Sequence, residues 1–478
     1  MKFMMKSPRW LCLGLCIGLW CVYPVFAQTA EQTPTDETAE PSGRNNGKKH
    51  YAPRYAYRVE TGHNENDTAA GALHLNLDEA VDYALAHNKN LLQTKNDVLK
   101  AVYSKREAIA NYIPQAKATV DFNTYFNQKM DMGNFGGMPM QIEMPNTSSL
   151  NAQVSQVAFN GNAMVGIMLG KIGQAMAEIN EENAELTLIN TVSMNYHLVL
   201  LTKANYDILT RNVNDLKDLV KKTQAMVQAG AMEQTDADQL QVQVNLLENM
   251  LKNTERSIEL VTNTLKIELG MNVADELVLT ESLDDLIASQ NDLLLLSLPY
   301  EMEADPTYRL VEKNEEMAEK QKLMAIMNFV PTIAGFYQYT YQILKPEFNM
   351  QPNHVAGVSA TIPIFSGLAN TNKHRQARID LYNAQLQKEL VKDQLLTQEK
   401  QMRFNLSTAL EQYNTQKMNI EVADRVFKSI QLKYEQGVKS SMDLTNANSD
   451  YLQAYSDYLA AISQLLEARF NLKRILYF

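Results

Sequence analysis

The segment AKATVDFNTYFN, residues 116–127, decides the fold class of this chain. Its apolar and polar residues alternate, which is the period-two pattern of a β-strand with one apolar face and one polar face. Before it, an apolar pattern of helical period begins at Leu77 and ends at Ile113, where Pro114 stops the helix. The pattern therefore predicts a strand inserted into a largely helical chain.

A second alternating segment, residues 150–155, follows a loop that is rich in Gly and Met. We therefore expect a β-hairpin over 116–159. The same alternation returns at 332–342 and at 354–364, which predicts a second hairpin over 332–364. The chain thus supplies four amphipathic strands.

An internal duplication explains this return. Phe365-Ser366-Gly367 repeats Phe159-Asn160-Gly161 at an offset of 206 residues, and Gly437 repeats Gly230 at an offset of 207. Heptads of mainly apolar residues keep their phase across the same offset. A strict seven-residue repeat predicts helices that supercoil with a left-handed twist.

The domain boundaries follow from these patterns. We expect an export signal over 1–27, a flexible leader over 28–72, a first repeat over 73–270, a linker over 271–304 and a second repeat over 305–478. Within the repeats, helices are expected at 76–113, 162–227, 233–270, 305–330, 368–435 and 441–474. The helix over 162–227 would be about 100 Å long. The shorter helices are expected to stack end to end beside the long ones.

The N-terminus is typical of a cleaved export signal, because three basic residues precede an apolar run that ends before Gln28. Losing those three positive charges moves the formal net charge from −11 to −14, so nucleic acid is not an expected partner. The cysteines all lie in the signal, at Cys12, Cys16 and Cys21. The exported chain is therefore expected to have no disulfides. Bulky residues before the cysteines disfavour lipidation, which nonetheless stays open.

Four strands per chain require partners if they enter a membrane. No later segment has the roughly 20 apolar residues of a spanning helix, and a sheet in lipid cannot leave strand edges unpaired. Bacterial barrels begin at about eight strands, so two or more copies are expected to close one membrane β-barrel. The alternative of a hairpin packed on the helices in water stays open on composition alone.

Several short motifs, taken together and in their order along the chain, resemble the TolC-like outer-membrane efflux family over residues 73–478. The resemblance rests on the entry Leu75-Asn76-Leu77-Asp78-Glu79-Ala80-Val81 with His87-Asn88, and on the turn Tyr434-Glu435-Gln436-Gly437-Val438-Lys439-Ser440-Ser441-Met442-Asp443-Leu444. It rests also on the residues that mark strand entry and exit, Pro114, Gly161, Pro331, Pro363 and Gly367. The resemblance implies a mainly α-helical homotrimer whose twelve-stranded barrel continues into a twelve-helix tunnel.

The resemblance also implies a function. Such a trimer lies in outer-membrane lipid and spans the periplasm. It docks to a periplasmic adaptor and an inner-membrane pump, and it exports small molecules or proteins. No cofactor is implied, and the sequence contains no arrangement typical of a hydrolase, so an enzyme is not expected. The competing hypothesis is a periplasmic coiled-coil adaptor or scaffold, although in such adaptors the strand modules flank a single hairpin.

The resemblance places a gate at the periplasmic tip, where the turns at Gly230 and Gly437 lie. Two tip residues, Tyr434 and Lys439, are expected to contact a neighbouring helix pair at Thr235 or Asp236. Asp443 is expected to line a constriction as a ring of like charges, which would favour cations and raise the carboxyl pKa by mutual repulsion.

Two positions depart from the pattern of the family. Lys439 stands where an Arg is familiar, so a bidentate contact is lost. Asn446 stands where a second Asp ring is expected, so the gate should be less acidic and easier to open. The alternative interpretation of the tip is helix capping alone, with Thr235 or Ser441 and a following Asp satisfying the first amides of a helix.

The loop from Lys129 to Pro145 contains five methionines, Met130, Met132, Met138, Met140 and Met144. Thioethers are soft ligands for Cu(I), and some members of the family export copper. A loop without a metal is the favoured interpretation.

Overall fold

The computed structural model describes residues 72–476, apart from 127, 136–137, 144, 289–291 and 345–351. The expected signal over 1–27, with its three cysteines, lies outside the described residues, as do leader residues 28–71 and Met144. Among the described residues, no helix combines the length and apolar character needed to cross a membrane.

The chain folds into long helices with short strand segments between them, and the predicted mainly helical fold class is confirmed. The first repeat and linker contain β1 (Leu73–Leu75), α1 (Leu77–His87), α2 (Lys89–Ala110), β2 (Gln115–Asn123), β3 (Lys129–Phe135), β4 (Met138–Glu143), β5 (Thr147–Phe159), α3 (Gly161–Gln228), α4 (Gln234–Leu269), β6 (Leu277–Leu279), α5 (Leu283–Ala288), α6 (Asp292–Ser297) and a 3-10 turn (Met302–Ala304). The second repeat contains α7 (Pro306–Met327), β7 (Thr332–Leu344), β8 (His354–Thr361), α8 (Ala369–Glu435) and α9 (Ser441–Leu476).

The helix expected over 76–113 is instead two helices, because the chain turns at Asn88. The Asn88 backbone is extended, and its side-chain oxygen accepts a 2.9 Å hydrogen bond from the Leu91 amide at the start of α2. Its amide group donates to the Glu268 carbonyl near the end of α4, over 2.7 Å. Gly270 follows with φ +79°, and a Cβ there would lie 2.2 Å from the His87 carbonyl oxygen. One buried amide thus fixes the junction of α1, α2 and α4.

The loop expected between the first two strands contains a further hairpin. Strands β3 and β4 pair antiparallel, with Lys129 opposite Glu143 and an irregularity between Asp131 and Asn134. The linker also contributes a strand, β6, which pairs parallel with β1 at the start of the first repeat. Neither pair joins the main sheet, which keeps the four expected strands.

The main sheet has the strand order β2-β5-β7-β8 and is antiparallel throughout. Its register aligns Val120, Leu150 and Tyr341 on one face, and Thr119, Asn151 and Thr340 on the other. On the polar face, Asn151 donates to Asp121 Oδ2 over 2.8 Å and accepts from Thr340 Oγ1 over 2.8 Å. Within the described residues, β2 and β8 each pair on one side only.

The helices pack against one another next to the sheet. Helix α3 packs against α2, α4, α7 and α9, and α8 packs against α7 and α9. Near the turns at Gly230 and Gly437, α4 also contacts α9 directly. Towards the turns at Gly230 and Gly437, many of the predicted heptad positions are buried, including Leu209, Val213, Leu216, Val220, Thr223, Leu240, Val244, Leu247, Phe427, Tyr434 and Ala447.

Apolar residues remain exposed on α8 and α4. On α8 they recur at helical spacing on one face, which we call the α8 stripe: Tyr382, Leu386, Leu390, Phe404, Met418 and Val422. On α4 they form a similar face, the α4 stripe: Val242, Leu246, Met250, Leu260 and Ile267. The two stripes lie on different hairpins, one on α4 of the α3–α4 hairpin and the other on α8 of the α8–α9 hairpin.

Candidate gate at the helical tip

Both turns at the end of the long helices depend on a glycine. Gly230 has φ +72° and Gly437 has φ +73°, a conformation that side chains disfavour. After each helix the next amides return to the last turn, as with Val438 to the Lys433 carbonyl at 2.8 Å. This is the hydrogen-bond pattern of a Schellman motif. No atom lies within 4 Å of a Cβ built at either glycine, so the requirement is conformational rather than steric.

Tyr434 bridges the two helical hairpins inside one chain. Its side chain is buried, and its hydroxyl lies 3.1 Å from the hydroxyl of Thr223 on α3. Burial, with a smaller contribution from the nearby Asp236, raises the pKa of Tyr434. The contact of Tyr434 with Thr235 or Asp236 of a neighbouring pair remains a prediction. Thr223 is a partner that the sequence analysis missed, although a hydroxyl at an apolar heptad position was a signal for it.

Asp236 meets a different partner from the one expected. The Ser441 hydroxyl at the start of α9 lies 2.6 Å from Asp236 Oδ1 and 2.6 Å from Gln239 Oε1, both on α4. A hydroxyl has one proton, so Ser441 donates to one of these oxygens at a time. Ser441 is buried. We call Thr223, Asp236, Gln239, Tyr434 and Ser441 the tip cluster; its contacts join the α3–α4 hairpin to the α8–α9 hairpin.

Helix capping at the tip involves residues other than those expected. Thr235 does not cap α4, because its hydroxyl donates to the Glu233 carboxylate over 3.2 Å. At α9 the cap is formed by Ser440: its hydroxyl accepts from the Asp443 amide over 3.1 Å, and the Ser440 amide donates to Asp443 Oδ2 over 3.2 Å. Ser441 lies one residue too late for this role and faces α4 instead.

Asp443 is consequently held as a carboxylate within one chain. Hydrogen bonds from Ser440 lower its pKa first, and the charge of Lys439 lowers it further. The Lys439 Nζ lies 3.5 Å from Asp443 Oδ2. Within one chain the direction is thus opposite to that expected for a ring of like charges. Asn446 lies exposed on α9, one turn after Asp443.

The residues expected at strand entry and exit lie between helices and strands. Pro114 and Pro331 immediately precede β2 and β7, and Pro363 follows β8. Gly161 begins α3, where a Cβ would lie 2.6 Å from Met327 Sδ, so helix α7 approaches too closely for a side chain. Gly367 has φ +60° before α8.

Two buried groups near the linker were missed by the sequence analysis. Arg469 on α9 donates to both oxygens of Asp292, over 2.6 and 2.7 Å, and so fixes α6. His197 on α3 faces Phe470, with ring centroids 4.8 Å apart. Burial lowers the pKa of His197, and the charges of Arg469 and Lys473 lower it further. A lone buried residue within a helix gives little sequence signal.

The described residues contain no cluster of three His, Cys, Asp or Glu side chains arranged to hold a metal. Of the methionines proposed as copper ligands, Met130, Met132, Met138 and Met140 lie in β3 and β4, and the structure describes only their backbone. The hypothesis of a metal site there stays untested.

Comparison with known proteins identifies the fold. Residues 304–476 match the family model of outer membrane efflux proteins. The outer membrane protein VceC from Vibrio cholerae matches with a TM-score of 0.66 and 16% identity, over 84% of this chain and 95% of that one. The Campylobacter jejuni CmeC outer membrane channel matches with a TM-score of 0.64 and 15% identity, over 84% of this chain and 85% of that one. The Neisseria gonorrhoeae MtrE outer membrane channel in its open state matches with a TM-score of 0.67 and 16% identity, over 84% of this chain and 88% of that one. No curated protein matches the chain.

The family match over residues 304–476 and the fold are those of outer-membrane efflux channels. The resemblance to the TolC-like family is confirmed, with an outer membrane efflux protein domain over residues 304–476. The competing interpretation as a periplasmic adaptor is not favoured. The matched family consists of channel proteins rather than enzymes.

Proposed function

We propose that three copies of this chain join head to tail into one conduit that is gated at the tip cluster. The observation that carries the proposal is that the sheet and the helices both expose two unpartnered surfaces. Within the described residues the sheet has unpaired edges at β2 and β8, and the helices expose the α4 and α8 stripes. Edges of different kinds pair heterologously, and such contacts close into a ring when the rotation allows it. The number three comes from the family resemblance.

The two faces of the sheet suit such a conduit. The apolar face remains exposed in the single chain, with Val120 68% and Val358 77% accessible, and we assign it to outer-membrane lipid. The opposite face carries the hydrogen-bonded row of Asp121, Asn151 and Thr340, and we assign it to the water-filled lumen. A closed ring would pair β2 with β8 of the next copy and leave no strand edge in lipid.

The gate is assigned to the tip. The glycine turns at Gly230 and Gly437 allow the two hairpins to end at the same level. Within one chain, Tyr434 and Asp236 hold the two hairpins together through Thr223 and Ser441. Between chains, we assign Tyr434 and Lys439 to contacts with Thr235 or Asp236 of the neighbouring chain. A ring of Asp443 carboxylates lines the constriction and favours cations, while Asn446 leaves the next position uncharged. Opening then requires the α8–α9 hairpin to part from α3–α4.

We assign the protein to the outer membrane, with the long helices in the periplasm and export directed by the N-terminal signal. Its proposed partners are a periplasmic adaptor and an inner-membrane pump, which contact the tip. Transport by this conduit needs neither a cofactor nor a catalytic residue.

Membrane fractionation tests the proposal. We expect the protein in the outer-membrane fraction, as a heat-modifiable trimer that requires detergent. A soluble monomer in the periplasm would contradict the proposal. Cysteines placed beside Gly230 and Gly437 should crosslink to the adaptor, and cysteines near α6 serve as the control that should not.

A further inference from the structure

One polar contact between the hairpins lies inside an apolar seam, above the tip cluster. Asn212 on α3 and Asn448 on α9 are 4% and 0% exposed. The Asn212 Nδ2 donates to Asn448 Oδ1 over 2.7 Å. Around them, Leu209, Val213, Leu216, Leu444 and Ala447 form one buried cluster. Asn448 lies seven residues after Ser441, about 10 Å along the helix.

This amide pair is only half satisfied. Asn212 Oδ1 and Asn448 Nδ2 are buried and have no hydrogen-bond partner among the described residues. Turning both amides over reverses the bond but still leaves one donor and one acceptor unpaired. Such groups are costly to bury. Two apolar side chains here would therefore hold α9 on α3 more tightly than the asparagines do.

The unpaired donor and acceptor are complementary. Two primary amides can exchange two hydrogen bonds, but here the helices hold them where only one forms. A shift of α9 along α3 is the motion that would bring the second pair of atoms together or expose both amides to water. A polar pair in a coiled-coil core also specifies the axial register of its helices at a cost in stability.

We propose that Asn212 and Asn448 are positioning residues of the gate, which set the register of the α8–α9 hairpin on α3 and keep this seam separable. This inference rests on the proposed function. The amides destabilise the closed arrangement relative to one in which α9 has moved, and so they favour opening. They act through the tip cluster below them and touch no transported molecule.

The test is single-channel recording of the full-length mature trimer in planar bilayers. We expect Asn212→Val with Asn448→Val to lower the open fraction about tenfold, to raise the melting temperature, and to leave the conductance of the open level unchanged because both residues are buried. Asn448→Val alone leaves Asn212 without a partner, so it should weaken the closed seam and raise the open fraction. If the two residues had a purely structural role, the double variant and Asn448→Val would not change the open fraction in opposite directions.

The chain provides a matched control between the same two helices. Asn190 Nδ2 donates to Asn471 Oδ1 over 3.3 Å, about 35 Å farther from the tip. Asn190→Val with Asn471→Val should leave the open fraction within about twofold of the wild type. If the valine pair at 212 and 448 does not fold, the leucine pair removes the same amides with side chains of nearly the size of asparagine, and it should lower the open fraction as well.

An open fraction equal to that of the wild type in both the valine pair and the leucine pair would overturn this inference alone. An equal fall in the control pair would overturn it as well, since any polar contact between α3 and α9 would then suffice. A wild-type trimer that forms no channels would overturn the proposed function and this inference together.

Discussion

At the scale of single residues, the tip is held by buried hydroxyl groups and by one largely exposed ion pair, in which Lys222 on α3 lies 2.9 Å from Glu435 on α8. Tyr434 and Ser441 are buried and each bonds across the two hairpins, whereas Lys439 and Asp443 are partly exposed and belong to one helix end. An exposed ion pair contributes little to stability. The closed tip is therefore expected to be weak enough to open.

Tyr434→Phe tests this interpretation. The change keeps the buried ring but removes the hydroxyl bond to Thr223, worth about 1 kcal/mol. We expect the open fraction of Tyr434→Phe channels in planar bilayers to rise about fivefold.

We also expect Lys439→Glu to raise the conductance of the closed channel, measured in the same bilayers.

Thr223→Val should reproduce the effect of Tyr434→Phe, and the two changes together should add little, because both remove the same bond. The control is Tyr413→Phe, which changes the same atoms on α8 about 30 Å from the tip. Unchanged closed-state behaviour in Tyr434→Phe would contradict the assignment of this residue to the gate.

His197 gives the protein a pH-dependent stability. Its folded pKa is lowered by burial and by the charges of Arg469 and Lys473. The unfolded chain therefore binds the proton at higher pH than the folded one, and stability falls as the pH drops below the ordinary histidine pKa of about 6.5. We expect the melting temperature to fall less between pH 7 and pH 5 in His197→Gln than in the wild type.

The control for this measurement is His74→Gln, because His74 is exposed on β1. That variant should keep the full loss of stability in acid. An acid response of His197→Gln equal to that of the wild type would remove His197 as its source.

At the scale of elements, a few buried polar residues decide where helices end and how they meet. Asn88 caps α2 and binds the end of α4, and the bidentate pair of Arg469 with Asp292 fixes α6 on α9. Arg403 donates to the carbonyls of Leu296 and Leu298 at the other end of α6. The linker is thus attached to the long helices at both ends of this short helix.

Asn88→Ala is expected to destabilise the protein by about 2 kcal/mol, since it removes a helix cap and a buried hydrogen bond worth about 1 kcal/mol each. Asn76→Ala provides the comparison, because Asn76 caps α1 through Glu79 and the variant loses the cap alone. Denaturant unfolding measures both. Equal losses would show that the bond from Asn88 to Glu268 contributes nothing.

At the scale of the whole molecule, the single chain exposes two apolar helix faces and two unpaired strand edges among its described residues. The α8 and α4 stripes expose side chains such as Phe404, 65% accessible, and Leu260, 68% accessible. Exposed apolar faces of this length are typical of interfaces. Closure of the ring would cover them at the same time as it pairs β2 with β8.

Phe404→Glu should prevent assembly, because it places a charge on the α8 stripe. The single chain should still fold, because Phe404 is exposed there and the new side chain meets no clash. We expect monomers instead of trimers in crosslinking and in detergent chromatography. Lys417→Gln is the control, since it changes the net charge by the same amount on a different, exposed face of α8. Trimers of Phe404→Glu as abundant as those of wild type would contradict the proposed interface.

Periodicity was enough to predict most of the fold. The period-two segments became β2, β5, β7 and β8, and the mainly helical fold class is confirmed. The heptads marked the buried seam because apolar spacing alone determines which helix face avoids water. The break at Asn88 was not predicted, because an asparagine within an apolar helical pattern has no distinctive spacing.

The sequence by itself determined the duplication, the alternation of strands and long helices, and the positions of the glycine turns, since these depend on local period and backbone conformation. Only the tertiary structure decided the partners: Thr223 for Tyr434, Ser441 for Asp236, Asn448 for Asn212 and Asp292 for Arg469. These residues lie 177 to 236 positions apart. Contacts over such separations depend on how whole helices pack, which no local pattern specifies.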